Sequence, residues 1–290
     1  MNLIKLRGML EQFYIEDIGD GDLSSESLFP EELIGRLEIK AKQEGIFCGA
    51  HVVREGLAVI DPTIEVKLDV GDGEAIAAGD RIAVANGPII SLLKSERVIL
   101  NLLQRMSGIA TETHQMVRKL EGTSARVCDT RKTMPGLRML DKYAVRTGGG
   151  VNHRRGLFDA VMLKDNHIAF AGGSIKAAVE TVRAAVGQTV KIEVEIENPE
   201  QLKEAIAAEA DIIMFDNCSP ETIRDWIGLV PESITTEASG NITAENIRQF
   251  AETGVDFISL GIITHSVHAL DFSAAVTIVE KWRNPHVILE

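Results

Sequence analysis

Between residues 131 and 164 the chain places eight basic side chains, Arg131, Lys132, Arg138, Lys142, Arg146, Arg154, Arg155 and Lys164, against two acidic ones, Asp141 and Asp159. The whole chain carries a formal net charge of −13. A +6 segment in such a background reads as a local anion pocket. Arginine's planar fork suits a carboxylate held through both oxygens. Arg138, Lys142 and Arg146 recur every four residues and are expected to be the solvated face of a helix. Arg131, Lys132, Arg154 and Lys164 fall in loops or at strand ends, where that reading fits less well. Three glycine-bearing segments could add backbone N–H groups: GGGVNHRRG at 148–156, SGNIT at 239–243 and SLGIITH at 259–265. Loops of this kind, leading into helices, suit phosphate. The implied chemistry is the binding of a ligand rich in carboxylate and phosphate.

Such residues need a rigid frame. Six short β-rich runs supply one, at 125–130, 160–165, 190–197, 211–217, 233–239 and 256–261, separated by helical segments such as SIKAAVETVRAAVG. This alternation predicts parallel strands with crossover helices. Polar residues close every run: Asp129, Arg131 and Lys132; Lys164 and Asp165; Glu195 and Glu197; Asp216; Glu237, Ser239 and Gly240; and Gly261. In a barrel of parallel strands that rim carries the active site. Glu193 and Glu195 share a strand and, by period two, point to the same side. The pattern alone does not choose between them.

The first third of the chain reads differently. Leu3, Leu6, Leu10 and Phe13 have helical spacing, Leu37, Ile39 and Ala41 alternate as in a strand, and 50–60 reads as a short helix. The turns within VGDGEAIAAGD resemble those of biotinyl or lipoyl carrier domains. Those domains modify a lysine at the hairpin tip, whereas the tip here is Asp72-Gly73, so an ordinary β segment is expected. A long helix is expected over 91–120, broken near Ser107-Gly108.

The bulk properties exclude several classes. Hydrophobic residues make up 45% and charged residues 25% of the 290, an ordinary globular balance that argues against disorder. The acidic charge argues against nucleic acid or a membrane surface as partner. No run approaches 18 apolar residues, and the charged N-terminus does not resemble a signal peptide. Cys48, Cys128 and Cys218 are scattered, so reduced thiols and a cytoplasmic location are expected rather than disulfides or zinc. His265 and His268 are expected at the surface rather than as a metal pair.

The stretch DTRKTMPGLRMLDKYAVRTGGGVNHRRGLFDAVMLKDNHI resembles the signature region of quinolinate phosphoribosyltransferases, the carboxylating nicotinate-nucleotide pyrophosphorylases. SERVILNLLQRMSGIAT, EVEIEN, IIMFDN, TEASGNIT and SLGIITHS match in family order, and the resemblance runs from EDIGDGDLSS to HSVHALDFS. It implies an α/β protein. An N-terminal α/β sandwich (1–109, rejoined by a tail at 268–290) would be linked to an open parallel α/β barrel (110–267). It implies transfer of phosphoribosyl from phosphoribosyl pyrophosphate to quinolinate with loss of carbon dioxide, for NAD biosynthesis. It also implies Mg2+ as cofactor and a homodimer, or larger homo-oligomer, with shared active sites.

By motif, the resemblance assigns substrate binding to Arg97 (crossing from the neighbouring subunit), Arg131, Lys132, His153, Arg154, Lys164, Glu195 and Asp216. Lys132, Lys164, Glu195 and Asp216 would act in the chemistry, with Glu195 and Asp216 near the ribose hydroxyls and magnesium. Ser239, Gly240, Asn241, Ser259, Leu260 and Gly261 would form phosphate loops. Met134 and Thr147 depart from the family's commoner residues, and neither is a charged ligand. A molybdate-transport relative is disfavoured by the intact DTRKT and NHR. A nicotinate enzyme without decarboxylation would need fewer cations. A non-catalytic carrier would need neither Glu195 nor Asp216.

The shared-site expectation is testable. Arg97→Ala and Glu195→Ala should each be nearly inactive alone, and unfolding and reassembling the two together should restore part of the activity. Mixed dimers that form without rescue would make Arg97 local or structural.

Overall fold

Leu6, Leu10 and Tyr14 recur every four residues and bury one face of the first helix, Leu3–Ile18 (α1), whose N-terminus Asn2 caps by accepting from Lys5 N–H. A short helix, Leu23–Leu28 (α2), follows with Asp22 as its cap. In the strand Ile34–Ala41 (β1), Leu37, Ile39 and Ala41 are all buried, as the alternation predicts. Then come Gly45–Ile46 (β2), the helix Ala50–Ile60 (α3), Glu65–Leu68 (β3), Ala75–Ile76 (β4) and Arg81–Pro88 (β5). Asp72, at the expected hairpin tip, accepts from the N–H groups of Gly49 and Ala50 at the start of α3, which gives that turn a structural role.

The helix that follows, Ile89–Lys119 (α4), corrects one expectation: it runs unbroken through Ser107 and Gly108. The small residues there serve packing instead. Ser107 Oγ accepts from Cys48 N–H and donates to Cys48 O. A Cβ on Gly108 would lie 2.2 Å from the carbonyl oxygen of His268. Helix propensity tolerates one glycine when a close backbone approach requires it.

Six parallel strands follow, each near an expected run: Arg126–Cys128 (β6), Val161–Leu163 (β7), Ile192–Ile196 (β8), Ile212–Asp216 (β9), Thr235–Ser239 (β10) and Phe257–Ser259 (β11). The helices between and after them are Arg138–Thr147 (α5), Asp165–Phe170 (α6), Ile175–Ala185 (α7), Pro199–Ala207 (α8), Pro220–Ile227 (α9), Ile247–Ala251 (α10) and Ile262–His265 (α11). Ser174, Asn198 and Ser219 cap α7, α8 and α9, the last two with proline at the helix start. The strand order is β6-β11-β10-β9-β8-β7, so β6 and β7 are the edges. One parallel bridge, Cys128 to Val151, continues the sheet past β6. This is the open parallel barrel.

The last strand, Phe272–Ile278 (β12), pairs antiparallel with β1, giving the order β12-β1-β5-β3. The computed structural model describes residues 1–279, so the remainder of the expected tail lies outside the described residues. The chain divides into two units, Met1–Thr111 with the segment from Val267, and Glu112–Ser266. No described helix is long and apolar enough to cross a membrane.

Glycine substitutions separate packing from propensity. Gly108→Ala should destabilise by about 1–3 kcal/mol, because the new methyl meets main chain that cannot rotate away. Gly8→Ala, within α1 and with nothing within 4 Å of the added methyl, should stabilise by up to about 1 kcal/mol. Thermal midpoints of the two variants should therefore move in opposite directions.

Candidate active site

The strand ends of β6 to β11 surround a cavity of about 570 Å³. Among the expected residues, Arg131, Lys132, His153, Arg154, Lys164, Glu195, Asp216, Ser239, Gly240, Asn241 and Ser259 all line it. Thr130, Met162, Met214, Asn217 and Glu237 complete the wall. Three expected residues stand apart. Leu260 is buried and its N–H donates to Cys128 O, so neither its side chain nor its amide is available to a phosphate. Gly261 lies under Lys132, whose Cδ would be 2.9 Å from an added Cβ. Arg97 belongs to the N-terminal unit, with its side chain 60% exposed and Glu96 at 3.8 Å.

Local geometry explains the loops. Lys132 N–H donates to Thr130 Oγ1, and its carbonyl accepts from Thr264 Oγ1, which fixes the main chain around this lysine. At the end of β10, Gly240 has φ +95°, and a Cβ there would lie 2.2 Å from Asn217 Oδ1. Only glycine fits that approach. Asn217 N–H in turn donates to Ser239 O, and Asn241 Nδ2 donates to Asn217 Oδ1. The loop after β9 thus templates the loop after β10.

The structure separates the two glutamates of β8. Glu195 faces the cavity and contacts Lys164 through a short charged hydrogen bond. Burial raises its carboxyl above the usual range, Lys164 opposes that, and Asp216 and Glu193 add to it. Glu195 and Asp216 both line the cavity, and their hard oxygen donors would suit a hard divalent cation. Glu193 lies deeper, with its Oε2 2.9 Å from His153 Nε2, and Glu237 Oε2 lies 3.6 Å from the same nitrogen. Arg154 N–H donates to His153 Nδ1, so Nε2 is the ring nitrogen turned to the two carboxylates. Glu193 Oε1 and Glu237 Oε1 are deeply buried, with the Ser259 hydroxyl a neutral donor beside Glu237 that opposes the rise in its pKa. An ionised carboxylate is costly in such a place. Burial, reinforced by the charge of Glu193 and opposed by His153, pushes the Glu237 carboxyl up to about 8.

One basic residue is not where its spacing suggested. Lys142 is buried and pairs with the fully buried Asp129 at 2.5 Å. The four-residue spacing identified a shared helix face correctly, but at Lys142 that face meets the end of β6 rather than water. Arg138 donates to Thr133 Oγ1 and to Arg155 O, while Arg146 is exposed as expected. Asp129, Lys142 and Asn152 were not expected as site residues. Asp129 did stand in the sequence as a polar strand end, but no pattern paired it with a residue thirteen positions away. Cys128 and Cys218 are buried free thiols, and burial pushes both up. His265 and His268 are exposed.

The family model for the quinolinate phosphoribosyl transferase N-terminal domain matches residues 22–107, and that for the C-terminal domain matches 109–275. A probable nicotinate-nucleotide pyrophosphorylase (carboxylating) of Bacillus subtilis strain 168 is 54% identical over 278 residues, covering 96% of each chain. Quinolinate phosphoribosyltransferase (decarboxylating) 1b of Nicotiana tabacum is 37% identical over 93% of this chain and 82% of its own length. The crystal structure of NadC from Streptococcus pyogenes superposes with a TM-score of 0.91 at 37% identity, covering 97% of this chain and 100% of that one.

The buried acid at position 237 gives a pH signature. The folded state keeps this proton up to about 8, whereas an unfolded glutamic acid loses it near 4.5. The folded state therefore binds more protons within that window, and stability falls as pH rises through it. Glu237→Gln removes the titration while imitating the neutral acid. Its stability should fall less steeply than the parent's between about pH 5 and 8 in denaturant melts. Identical slopes would show that Glu237 is ionised throughout.

Proposed function

The chain belongs to the quinolinate phosphoribosyl transferase family, and we propose that it joins quinolinate to the phosphoribosyl group of phosphoribosyl pyrophosphate, releasing pyrophosphate and carbon dioxide. The observation that carries this reading is the cavity at the strand ends, where Arg131, Lys132, Arg154 and Lys164 face Glu195 and Asp216. Quinolinate bears two adjacent carboxylates, and several fixed cations are needed to bury that dianion. Burial and the neighbouring charge of Arg131 both push Arg154 below its usual pKa, a crowding that an anion would relieve.

The ring nitrogen of quinolinate attacks C1 of the ribose as the bond from C1 to the pyrophosphate oxygen breaks. Positive charge builds on the ribose in that step, and Glu195 and Asp216 are the groups to stabilise it. They would also hold magnesium, which when bound offsets the charge of the leaving pyrophosphate. The new bond leaves the ring nitrogen cationic. The carboxylate on the adjacent carbon can then leave as carbon dioxide, with its bonding electrons held beside the cationic nitrogen until a proton replaces it. The protein's part is to position and neutralise. Lys132 and Lys164 carry the cationic side of that work, and the loops at Ser239–Asn241 and Ser259 the phosphate side.

A second copy of the chain would complete the site. Met134, Leu157, Phe158 and Phe170, in loops and at a helix end of the C-terminal unit, are between 51% and 88% exposed, apolar surface that a second copy in a homodimer would cover. Arg97 would enter from that copy. Three buried free cysteines support a reducing, cytoplasmic setting.

The test is an assay with phosphoribosyl pyrophosphate, magnesium and either quinolinate or nicotinate, following carbon dioxide and pyrophosphate. Quinolinate should be consumed with both products released, and nicotinate should react poorly. Equal turnover of the two acids would sink the assignment.

A further inference from the structure

Two residues that face the cavity, His153 and Arg154, are held by a loop with little structure of its own. Asn152, His153 and Arg154 follow Gly148, Gly149 and Gly150 and precede Gly156, so the main chain has conformational freedom on both sides. Something must fix it, because a displacement of about 1 Å can cost on the order of a hundredfold in rate. We propose that the buried Lys142–Asp129 pair is a positioning device that clamps the Asn152–Arg154 main chain, so that Arg154 is presented to the carboxylates of quinolinate. This inference rests on the reading that the cavity receives quinolinate.

The clamp closes on both sides of one residue. Asp129 Oδ1 accepts from the main-chain N–H of His153 at 2.8 Å, and Lys142 Nζ donates to the carbonyl of His153 at 3.0 Å. Both peptide groups of His153 are thereby oriented by the two halves of one ion pair. Asn152 adds a third arm, donating from Nδ2 to Asp129 Oδ2 at 2.6 Å and to Lys142 O at 2.9 Å. The next residue follows from these, since Arg154 N–H donates to His153 Nδ1 at 2.7 Å. The Arg154 guanidinium ends 3.3 Å from Ala160 O and 3.5 Å from Met162 Sδ at the cavity wall.

Stability alone does not account for the pair. Asp129 is fully buried and Lys142 nearly so, and a buried ion pair gains little over apolar residues of similar volume. Burial raises the Asp129 carboxyl despite the lysine beside it, which shows that the desolvation is incompletely offset. What the pair adds is direction: two charged groups take up the N–H and the C=O of His153, which apolar side chains would leave unsatisfied. Neither residue lines the cavity, so both would act only through the loop.

The test is the double variant Asp129→Asn with Lys142→Met, which removes both charges at similar volume, compared with the parent in steady-state kinetics and thermal melts. A positioning role predicts a folded enzyme whose KM for quinolinate rises at least tenfold, while KM for phosphoribosyl pyrophosphate changes less than threefold. Unchanged constants, or both KM values rising together, would overturn it. If the double variant does not fold, Asn152→Ala decides. It opens one arm of the clamp without leaving a charge unpaired, and should raise the quinolinate KM selectively, by severalfold. A parent that fails to turn over quinolinate brings down the functional reading and the clamp together. An active parent whose variants show no such split brings down the clamp alone.

Discussion

A set of positive side chains cannot be held around one cavity without something to oppose their repulsion. At an effective dielectric of about 20, two like charges about 4 Å apart cost on the order of 4 kcal/mol. Arg131, Lys132, Arg154 and Lys164 share one cavity, so carboxylates must sit among and beneath them. The barrel supplies these at two depths. Glu195, Asp216 and the buried Glu237 stand in the cavity wall, whereas Asp129 and Glu193 are buried behind it. Much of the polar architecture of the C-terminal unit answers this one requirement.

The parallel sheet makes that layering possible. Every strand of β6 to β11 points the same way, so every strand ends on the same side, and alternate residues of one strand reach the same space at different heights. Glu193 and Glu195 show the consequence. They share a face of β8, yet one meets His153 in the interior and the other meets Lys164 at the cavity. Two carboxylates two residues apart thereby take different work, one supporting a ring and one facing the ligand space.

Buried carboxylates carry a cost, and the structure meets it in distinct ways. Asp129 is compensated by a lysine, an amide and a backbone N–H. Glu237 is almost fully buried beside Glu193 and has a raised pKa, and so favours its neutral form. Glu195 is balanced by Lys164, a half-buried lysine in the cavity wall. The first arrangement is closed off from solvent, and the last stands at the cavity.

The sequence by itself determined the six parallel strands, the polar rim at their ends and most of the cavity wall. Those features depend on local periodicity and on which residue follows each apolar run, and both are written in the order of the residues. The motifs that resemble the family located the same loops. What the tertiary structure decided is what each face meets. Spacing put Lys142 on a helix face with Arg138 and Arg146, but only the packing of α5 against the end of β6 buries that one lysine on Asp129. A glycine within 91–120 suggested a break, but the close approach of His268 O gives Gly108 a packing role in an intact helix. Leu260 sits in a glycine-bearing loop, yet its amide is taken by Cys128. In each case the deciding partner lies far away in the chain, where no local pattern records it.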